Sequence, residues 1–339
     1  MSINSQSPTE APMRIADIPV PNRAFLAPMA GVTDVVFRRL AHRFGAGLVV
    51  SEMVAGEQLA DGNADTRLRS ESAGVDPHVV QLAGREARWM AEGARMAEGA
   101  GAAIIDINMG CPAKKVTSGY SGSALMRDPD HALTLIEATV AAVKVPVTLK
   151  MRLGWDDDSI NAPELAARAE AAGVAMITVH GRTRCQFYKG SANWDAIRLV
   201  RERISVPLVA NGDCQSAEDA RQMLARSGAD AVMIGRASFG RPWLPGTIGA
   251  ALDGTPAPRV PAGPDLADLI CEHAEGIFSH YGTEKGVRNA RKHIAWYLDG
   301  AETPMPAEQR RELLTATVPA QVLAMLRSWF SSTQMGVAA

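Results

Sequence analysis

The regular alternation of short apolar runs with helix-length segments is the strongest constraint on how this chain can fold. Eight runs have the length and composition of buried strands, at 24–27, 47–51, 78–82, 102–107, 145–151, 175–179, 206–210 and 229–234. Six Ala-rich segments between them have helical length, at 33–44, 86–99, 130–143, 162–172, 194–204 and 216–227. Each connection is long enough to join parallel strands. The pattern predicts a (β/α)8 TIM barrel, with a doubly wound open sheet as the alternative, because sequence does not show whether the sheet closes.

The segments on either side of this alternating region differ from it in composition. Residues 1–12 are polar and Ser-rich, so we expect a disordered tail and neither a signal peptide nor an anchor. The barrel is predicted over 13–246, followed by a Pro-, Gly- and Ala-rich linker over 247–264. Residues 265–334 are predicted to form a separate all-helical domain. Its helical patterns lie at 266–280, 285–298 and 307–330.

Composition places the chain among ordinary globular proteins. Hydrophobic residues make up 47% and charged residues 21%, which excludes wholesale disorder. The 4 cysteines are not closely paired, which favours reduced thiols in a cytoplasm. No apolar run approaches the roughly 18 residues of a membrane helix, and no obligatory protein partner is indicated. The net charge of −2 means that any binding of nucleic acid must depend on a local basic patch.

A cysteine follows the fourth predicted strand, within the segment DINMGCP at 106–112. An isolated cysteine is usually a small buried hydrophobe. Cys111, however, lies at the carboxyl end of a strand, where parallel α/β folds carry out chemistry, and Asn108, Lys114 and Lys115 flank it. Nearby cations favour a thiolate or a readily exchanged proton. Cys111 is therefore a candidate reactive thiol.

The loops after the last two predicted strands have the composition of a phosphate site. In such barrels these loops commonly bind phosphate through backbone N–H groups and the start of a helix. Asn211-Gly212-Asp213 and Gly235-Arg236 occupy these positions. Glycine lets the backbone approach a ligand, and arginine supplies charge-assisted donors.

Three further polar residues lie at predicted strand ends. Lys150 and Gln81 could hydrogen-bond the polar edge of a flavin ring. Lys150 could instead be a solvated terminus, although it directly follows a run that should be buried, where an unpaired ammonium is costly. His180 could likewise be a satisfied core histidine.

Together these residues resemble the tRNA-dihydrouridine synthases, in particular their bacterial B-type branch. The similarity extends from about Arg23 to Leu298. The segments that carry it are 27–34 (APMAGVTD), 106–116, 122–125 (GSAL), 180–184 (HGRTR) and 285–293. The resemblance implies an enzyme that uses FMN to reduce the C5=C6 bond of a tRNA uridine, with NADPH reducing the flavin, and it suggests D-loop position 17 as the target.

The resemblance also implies a role for each site residue. The expected FMN contacts are Pro28, Met29, Ala30, Gln81, Lys150, Asn211, Gly212, Asp213, Gly235 and Arg236, with His180 beside them. Hydride would pass from flavin N5 to C6, and Cys111 would protonate C5 from the other face, which is coherent because hydride addition builds enolate character there. Asn108, Arg152 and Arg182 are candidates to hold the uracil edge and its developing charge.

A basic stripe in the C-terminal helical region is the candidate RNA-binding surface. Its residues are Lys285, Arg288, Arg291 and Lys292. Three of them share one helical face and Arg291 lies close by, a pattern that by itself is usually only a solvated face. With the resemblance, the stripe becomes a surface that positions tRNA. Lys114 and Lys115 would add phosphate contacts from the barrel.

Three other cysteines raise a separate hypothesis. Cys185 and Cys214 follow strands six and seven, and Cys271 lies on the first C-terminal helix, so the three could meet with a fourth ligand on an iron-sulfur cluster. Their long spacings lack the close cysteine pairs of such sites, which favours unrelated buried thiols.

Two other functions are compatible with the pattern. One is an FMN barrel oxidoreductase acting on a free pyrimidine or an enone, which would need no RNA-binding tail. The other is a non-catalytic tRNA-binding protein. The presence of Cys111, Lys150 and His180 argues against a protein without turnover.

Overall fold

The computed structural model describes residues 12–335, so nearly all of the predicted tail lies outside the described residues. The strands are β1 Arg14–Ile15, β2 Ile18–Pro19, β3 Ala24–Leu26, β4 Leu48–Val49, β5 Val54–Ala55, β6 Val79–Ala83, β7 Ile104–Met109, β8 Val147–Arg152, β9 Met176–His180, β10 Leu208–Asn211 and β11 Ala231–Ile234. The helices of the barrel region are α1 Val35–Arg43, α2 Gly56–Ala60, α3 Ala64–Ser70, α4 Ala87–Gly99, α5 Lys114–Thr117, α6 Pro129–Ala142, α7 Ala162–Ala171, α8 Trp194–Arg201, α9 Ala217–Ser227 and α10 Leu244–Asp253. The C-terminal helices are α11 Gly263–Tyr281, α12 Thr283–Asp299, α13 Ala307–Thr315 and α14 Pro319–Met335.

Strands β3 to β11 form a closed parallel barrel. Their order is β4-β3-β11-β10-β9-β8-β7-β6-β5, in which β4 and β5 are two halves of the second barrel strand. A bridge from Val50 to Val79, with the Ser51 N–H donating to the Val79 carbonyl at 3.0 Å, also joins the β4 half to β6. The predicted (β/α)8 barrel is therefore confirmed, and the open sheet is excluded.

The six predicted barrel helices are present, with small shifts at their ends. Polar N-caps account for several of their starts. Asp34 accepts from Val36 N and Phe37 N to begin α1, and Asn193 and Ser216 cap α8 and α9 in the same way. Each helix buries an apolar face against the barrel, so the site is built on rigid elements.

The N-terminal hairpin of β1 and β2 was not predicted. Its two strands pair antiparallel with Ile15 opposite Ile18. Ile15 and Val20 belong to one buried cluster with Ile104 and Met176, which begin barrel strands. The hairpin therefore covers the end of the barrel opposite the carboxyl ends of the strands.

The predicted linker starts too early. Residues 247–253 belong to α10, and Gly254 ends that helix with a φ of +66°. Residues 255–262 then run without regular structure to α11. The expected single helix over 307–330 is also wrong, because α13 ends at Thr315 and α14 begins only at Pro319. Proline lacks an N–H and disfavours a helical residue before it, so the chain leaves the helix ahead of Pro319.

The C-terminal helices pack onto the barrel through α1. Phe37 lies in the same buried apolar cluster as Ile270 of α11 and Ile294 of α12. The division of the chain into separate folding domains stays a prediction. Among residues 12–335, no helix is both long and apolar enough to cross a membrane.

A second contact joins α12 to the loop after β11. The rings of Phe239 and Trp296 are stacked with centroids 3.9 Å apart. Next to them, a Cβ on Gly240, whose φ is +64°, would lie 2.5 Å from the Trp296 carbonyl oxygen. Only glycine allows this close approach, which fixes α12 against the barrel.

Candidate active site

A cavity of about 770 Å³ opens at the carboxyl ends of the barrel strands. Its volume lies within the range of small-molecule sites. Every residue predicted to contact the cofactor lines it, and so do Asn108, Cys111, Arg152 and Arg182. The structure therefore brings the predicted catalytic, cofactor and base-binding residues into one site, while their individual roles stay predictions.

Lys150 is buried in the floor of this cavity. Its Nζ donates to Oδ1 of Asn211 at 3.0 Å, and Asn211 Nδ2 donates to the Met233 carbonyl at 2.7 Å. Lys150 is only 8% exposed, so it is not a solvated terminus. Burial is the main reason that its pKa falls to about 8, so its ammonium remains mostly protonated at neutral pH.

His180 forms part of the same wall. Burial, followed by the charges of Lys150, Arg152, Arg182 and Arg236, lowers the pKa of His180 well below its usual value. The imidazole is therefore neutral, and its Nε2 lies 3.3 Å from Nη1 of Arg182. Four cations around a neutral histidine favour an anionic ligand.

Arg182 is held by protein partners on each of its guanidinium nitrogens. It forms a bidentate pair with Asp213 at 3.0 and 2.6 Å. The same guanidinium donates to the carbonyls of Lys189 and Gly190. Arg182 therefore holds the loop after β9 in place and has little capacity left for the uracil contact that we predicted.

Asp213 is committed to the protein in the same way. Burial raises its pKa, but hydrogen bonds from Arg182 and from the Ala192 N–H outweigh burial and lower the pKa overall. Its φ is +59°, a left-handed conformation that turns the chain back after Gly212. A ligand could therefore meet the backbone of Asp213 more readily than its carboxylate.

Arg152 connects two loops at the mouth of the cavity. Its Nε donates to the Gly110 carbonyl, and its Nη1 donates to the carbonyls of Thr183 and Phe187, all at 2.8 Å. The guanidinium carbon lies 5.4 Å from the centre of the Tyr188 ring. Burial lowers the pKa of Arg152 to about 10, which leaves it charged at neutral pH.

Phe187 and Tyr188 are site residues that the sequence analysis missed. Both line the cavity, and they are 37% and 51% exposed. The Tyr188 ring also lies 4.8 Å from the guanidinium carbon of Arg236. They belong to an irregular loop after β9, where no strand or helix pattern marks them as site residues.

Cys111 lines the cavity half-buried, just after β7 and next to the strand that carries Lys150 and Arg152. Its carbonyl accepts from Ser123 N at 3.1 Å and from Ser123 Oγ at 2.8 Å. Burial is the largest influence on its pKa and raises it, although the Ala113 N–H, Arg152 and Lys150 act in the opposite direction. A raised pKa favours the neutral thiol, which has a proton to give, over the thiolate.

Lys114 and Lys115 do not contribute to this effect on the thiol. Both are exposed on the short helix α5, which begins just after the cysteine loop. The cations that act on Cys111 are instead Lys150 and Arg152. The two lysines remain candidates for phosphate contacts at the edge of the cavity.

Buried polar side chains support the cysteine loop from below. Asn108 Oδ1 accepts from Cys111 N at 3.0 Å and from Gly110 N at 3.2 Å, and Asn108 Nδ2 donates to Gln81 Oε1 at 2.7 Å. Gln81 Nε2 in turn donates to Asp106 Oδ2 at 2.6 Å. Asn108 is therefore engaged in holding the loop, which leaves one N–H of its amide for a ligand.

The basic stripe of α12 divides into two parts. Lys285 pairs with Asp65 at 3.0 Å and Arg288 pairs with Glu284 at 2.8 Å, all exposed. Lys292 points towards the barrel rim, where its Nζ lies 3.4 Å from the position that a Cβ on Gly31 would take. The three side chains lie along α12, and Lys292 is the one that reaches the barrel rim.

Arg291 faces a different way. Its Nη2 donates to the carbonyls of Thr315 and Ala316 at 3.2 and 3.3 Å. It therefore fixes the end of α13 to α12, and it faces away from the other three basic side chains.

The three remaining cysteines do not meet. Cys214 is buried among barrel side chains, Cys271 is buried among the C-terminal helices, and Cys185 is exposed. Within residues 12–335 no group of three His, Cys, Asp or Glu side chains is placed to hold a metal ion. The predicted iron-sulfur ligand set is therefore not assembled.

Comparisons with known proteins agree with this geometry. A family model described as dihydrouridine synthase matches residues 25–333. A probable tRNA-dihydrouridine synthase of Rhizobium leguminosarum bv. phaseoli is 58% identical over 307 residues, covering 91% of this chain and 95% of that protein. A tRNA-dihydrouridine synthase B of Xanthomonas axonopodis pv. citri (strain 306) is 44% identical over 326 residues, covering 96% and 98%.

Solved structures share the fold at low sequence identity. A 2-naphthoyl-CoA reductase complex aligns with a TM-score of 0.55 and 13% identity, covering 72% of this chain and 52% of that one. Morphinone reductase aligns with a TM-score of 0.52 and 15% identity, covering 76% and 91%. These likenesses support the barrel architecture.

Proposed function

Because the chain belongs to the dihydrouridine synthase family, in agreement with the B-type resemblance of its motifs, we propose that it reduces the C5=C6 bond of a uridine in tRNA. One observation carries the proposal: a neutral, half-buried thiol and the buried cations of the neighbouring strand, Lys150 and Arg152, line a single cavity. D-loop position 17 is the target that the B-type resemblance suggests.

The cavity fits FMN as the cofactor. Lys150 and Gln81 would bind the polar edge of the ring, and Pro28, Met29 and Ala30 would contact its apolar part. The loops 211–213 and 235–236 would hold the phosphate, where Gly212 leaves room that a side chain would fill: a Cβ there would lie 2.7 Å from Ala192. When bound there and reduced by NADPH, FMN would supply the hydride for C6.

Cys111 supplies the proton in this scheme. Hydride addition at C6 leaves negative charge shared between C5 and the neighbouring carbonyl oxygen, so C5 needs a protonated acid within reach. The raised pKa keeps the Cys111 thiol protonated at neutral pH. Lys150 and Arg152 carry the positive charge that would stabilise the oxygen as charge develops, and this low-dielectric setting strengthens their effect.

The target base must leave its stacked position to enter the cavity, at a cost of a few kcal/mol. Phosphate contacts from Lys285, Arg288 and Lys292 on one side, and from Lys114 and Lys115 on the other, would offset that cost. Such an enzyme would act in the cytoplasm, on tRNA transcripts.

Anaerobic spectroscopy tests this function directly. The purified protein is expected to carry bound flavin, which NADPH bleaches and an unmodified tRNA transcript then reoxidises, with dihydrouridine appearing in the RNA. Native tRNA that is already modified serves as the control and should reoxidise little. A flavin that NADPH reduces but that no transcript reoxidises would favour the oxidoreductase that acts on a free pyrimidine or an enone.

Substitution of the thiol tests the mechanism. Cys111→Ala is expected to retain flavin and its reduction by NADPH, while the transfer to tRNA is lost. If Cys111→Ala reduces uridine at the normal rate, another group donates the proton.

A further inference from the structure

The hydrogen bonds beneath the cysteine loop all run in one direction. Backbone N–H groups of Gly110 and Cys111 donate to Asn108, Asn108 donates to Gln81, and Gln81 donates to Asp106. This series, here called the amide relay, ends on a carboxyl group buried between β6 and β8. Asp106 accepts a second hydrogen bond from Thr148 Oγ1 at 2.6 Å.

The direction of the amide relay matters because each of its two side-chain amides could be turned end for end. A carboxylate can only accept, whereas an amide has one accepting end and one donating end. An acceptor beneath Gln81 fixes the orientation of its amide, and Gln81 then fixes that of Asn108. If both amides were reversed, the Asn108 NH2 would face the N–H groups of Gly110 and Cys111, which leaves buried donors unpaired.

We infer that Asp106 is a positioning residue for Cys111, acting as the terminal acceptor that orients Gln81 and Asn108 and so holds the cysteine loop in place. The argument rests on the proposed function only for the role of the thiol, since the geometry of the amide relay stands without it. Asp106 is 4% exposed and lies in register with Gln81 and Thr148 on the neighbouring strands. It does not line the cavity itself, and of these two partners Gln81 does.

A different role for Asp106 is the obvious rival. Its charge could act as the counterion of Lys150, which follows Thr148 by two residues on β8. The two roles predict different effects of removing the charge. In the Asp106→Asn variant, the new amide oxygen could still accept from Gln81 while the new NH2 donates to the Thr148 hydroxyl, so the amide relay would keep its direction without a charge.

Four substitutions separate these roles. Asp106→Asn removes the charge and keeps an oxygen that can accept from Gln81. Asp106→Leu removes both the charge and the acceptor, with a side chain of similar volume. Thr148→Val is the matched control, because it removes a hydrogen bond to Asp106 without touching the amide relay. Since Asp106→Leu could impair folding, Gln81→Met provides a second interruption that leaves the carboxylate in place, and thermal unfolding of each variant checks its fold.

The measurement is the rate of alkylation of Cys111 by iodoacetamide across a pH series, followed on its own peptide by mass spectrometry. Exposed Cys185 in the same sample serves as the internal reference. This readout needs neither tRNA nor NADPH, so its outcome is independent of whether the proposed function holds.

Loss of the amide relay should loosen the loop, expose the thiol and lower the pH at which alkylation reaches half its maximum. We expect Asp106→Leu and Gln81→Met to react about fivefold faster at neutral pH, the effect of one hydrogen bond. Asp106→Asn and Thr148→Val should match the parent. If Asp106→Asn reacts like Asp106→Leu, then the charge of Asp106, and not its hydrogen bond from Gln81, controls the reactivity of Cys111, and the inference is overturned. A folded Gln81→Met variant with parental alkylation kinetics would overturn it as well.

Discussion

The cations of the cavity and those of α12 show two different ways in which this molecule uses positive charge. Lys150, Arg152 and Arg182 are almost fully buried and bonded to oxygens of the protein. Lys285 and Arg288 are exposed, and each forms one ion pair with a nearby carboxylate. Burial lowers the pKa of Lys150 and Arg152, because it removes water that would stabilise their charged forms.

The difference teaches what each region can contribute to function. A desolvated charge interacts strongly with a ligand at a fixed position and costs little reorganisation, so it suits the stabilisation of developing charge. An exposed charge binds phosphate through counterion release, tolerates small displacements and weakens with salt. Substitutions in the cavity should therefore have large and localised effects, whereas substitutions on α12 should have small and salt-dependent ones.

The largest effect is expected when the proton donor of the cavity is removed. Cys111→Ala should lower the rate of uridine reduction by about 10²–10⁴-fold, the usual contribution of a general acid. The dihydrouridine formed in a single turnover with prereduced enzyme measures it. Cys185→Ala is the matched control on the same rim and should behave like the parent, and equal losses in both variants would contradict the assignment.

Removing the buried ammonium of the cavity should have the next largest effect. Lys150→Met is expected to weaken flavin binding about tenfold or more, which is typical for loss of a hydrogen bond to a charged group. In the parent, affinity should also fall as pH rises through about 8, because Lys150 loses its proton there, and Lys150→Met should lack this dependence. Fluorescence titration of the apoprotein at several pH values measures both, and a parallel decline in the two proteins would assign it to another group.

Asp34, the buried carboxyl that caps α1, tests how the burial of a charge affects stability. Burial, and to a lesser degree Glu52, raises the pKa of Asp34 to about 6. The folded protein therefore binds more protons than the unfolded chain between about pH 4 and 6, so this group lowers stability as pH rises through that range.

The variant Asp34→Asn should keep the N-cap and remove that dependence. Above pH 6 we expect it to be more stable than the parent by about 2–3 kcal/mol, a value that follows from the shift of the pKa. Urea unfolding of both proteins at several pH values measures the difference, in which contributions from other titrating groups cancel. A difference that stays constant from pH 4 to 7 would show that Asp34 ionises freely in the folded state.

The smallest effect is expected on the surface of α12. Lys292→Ala should weaken tRNA binding a few fold and reduce the slope of log affinity against log salt by about one, as for a single phosphate contact. Arg221→Ala, which removes an exposed arginine from α9 on the outside of the barrel, is the control and should change neither value. A change in catalytic rate at saturating tRNA would mean that Lys292 acts in the cavity as well.

The sequence predicts the positions of the barrel strands and the residues at their ends because both follow from local pattern. Apolar runs and polar caps mark the elements, and a parallel barrel places every strand end on one rim. Cys111, Lys150 and His180 can therefore be assigned to one site from the sequence alone. The resemblance of the motifs to a known family then suggested the reaction and the cofactor.

What the sequence could not supply depends on contacts between distant segments. The break in the second barrel strand, the hairpin beneath the barrel and the loop that carries Tyr188 have no periodic signal. Nor does the sequence show whether a side chain already hydrogen-bonds within the protein. Arg182 and Arg291 were predicted to bind the substrate, yet their guanidinium groups donate to oxygens of the protein. The pKa of Cys111 could not be inferred either, because it depends mainly on burial.

The contact at Gly240 has a consequence for which nucleotide is modified. Because Gly240 approaches the Trp296 carbonyl without an intervening methyl group, α12 is held close against the loop after β11, at the rim of the barrel. The proposed tRNA contacts of α12 would therefore lie at a fixed distance from the cavity. A tRNA bound along α12 would then present to the cavity only the nucleotide that lies at that distance from its phosphate contacts. The enzyme would thus select its target by the distance along the RNA from the phosphate contacts, and it would not need to recognise the nucleotide sequence around the target.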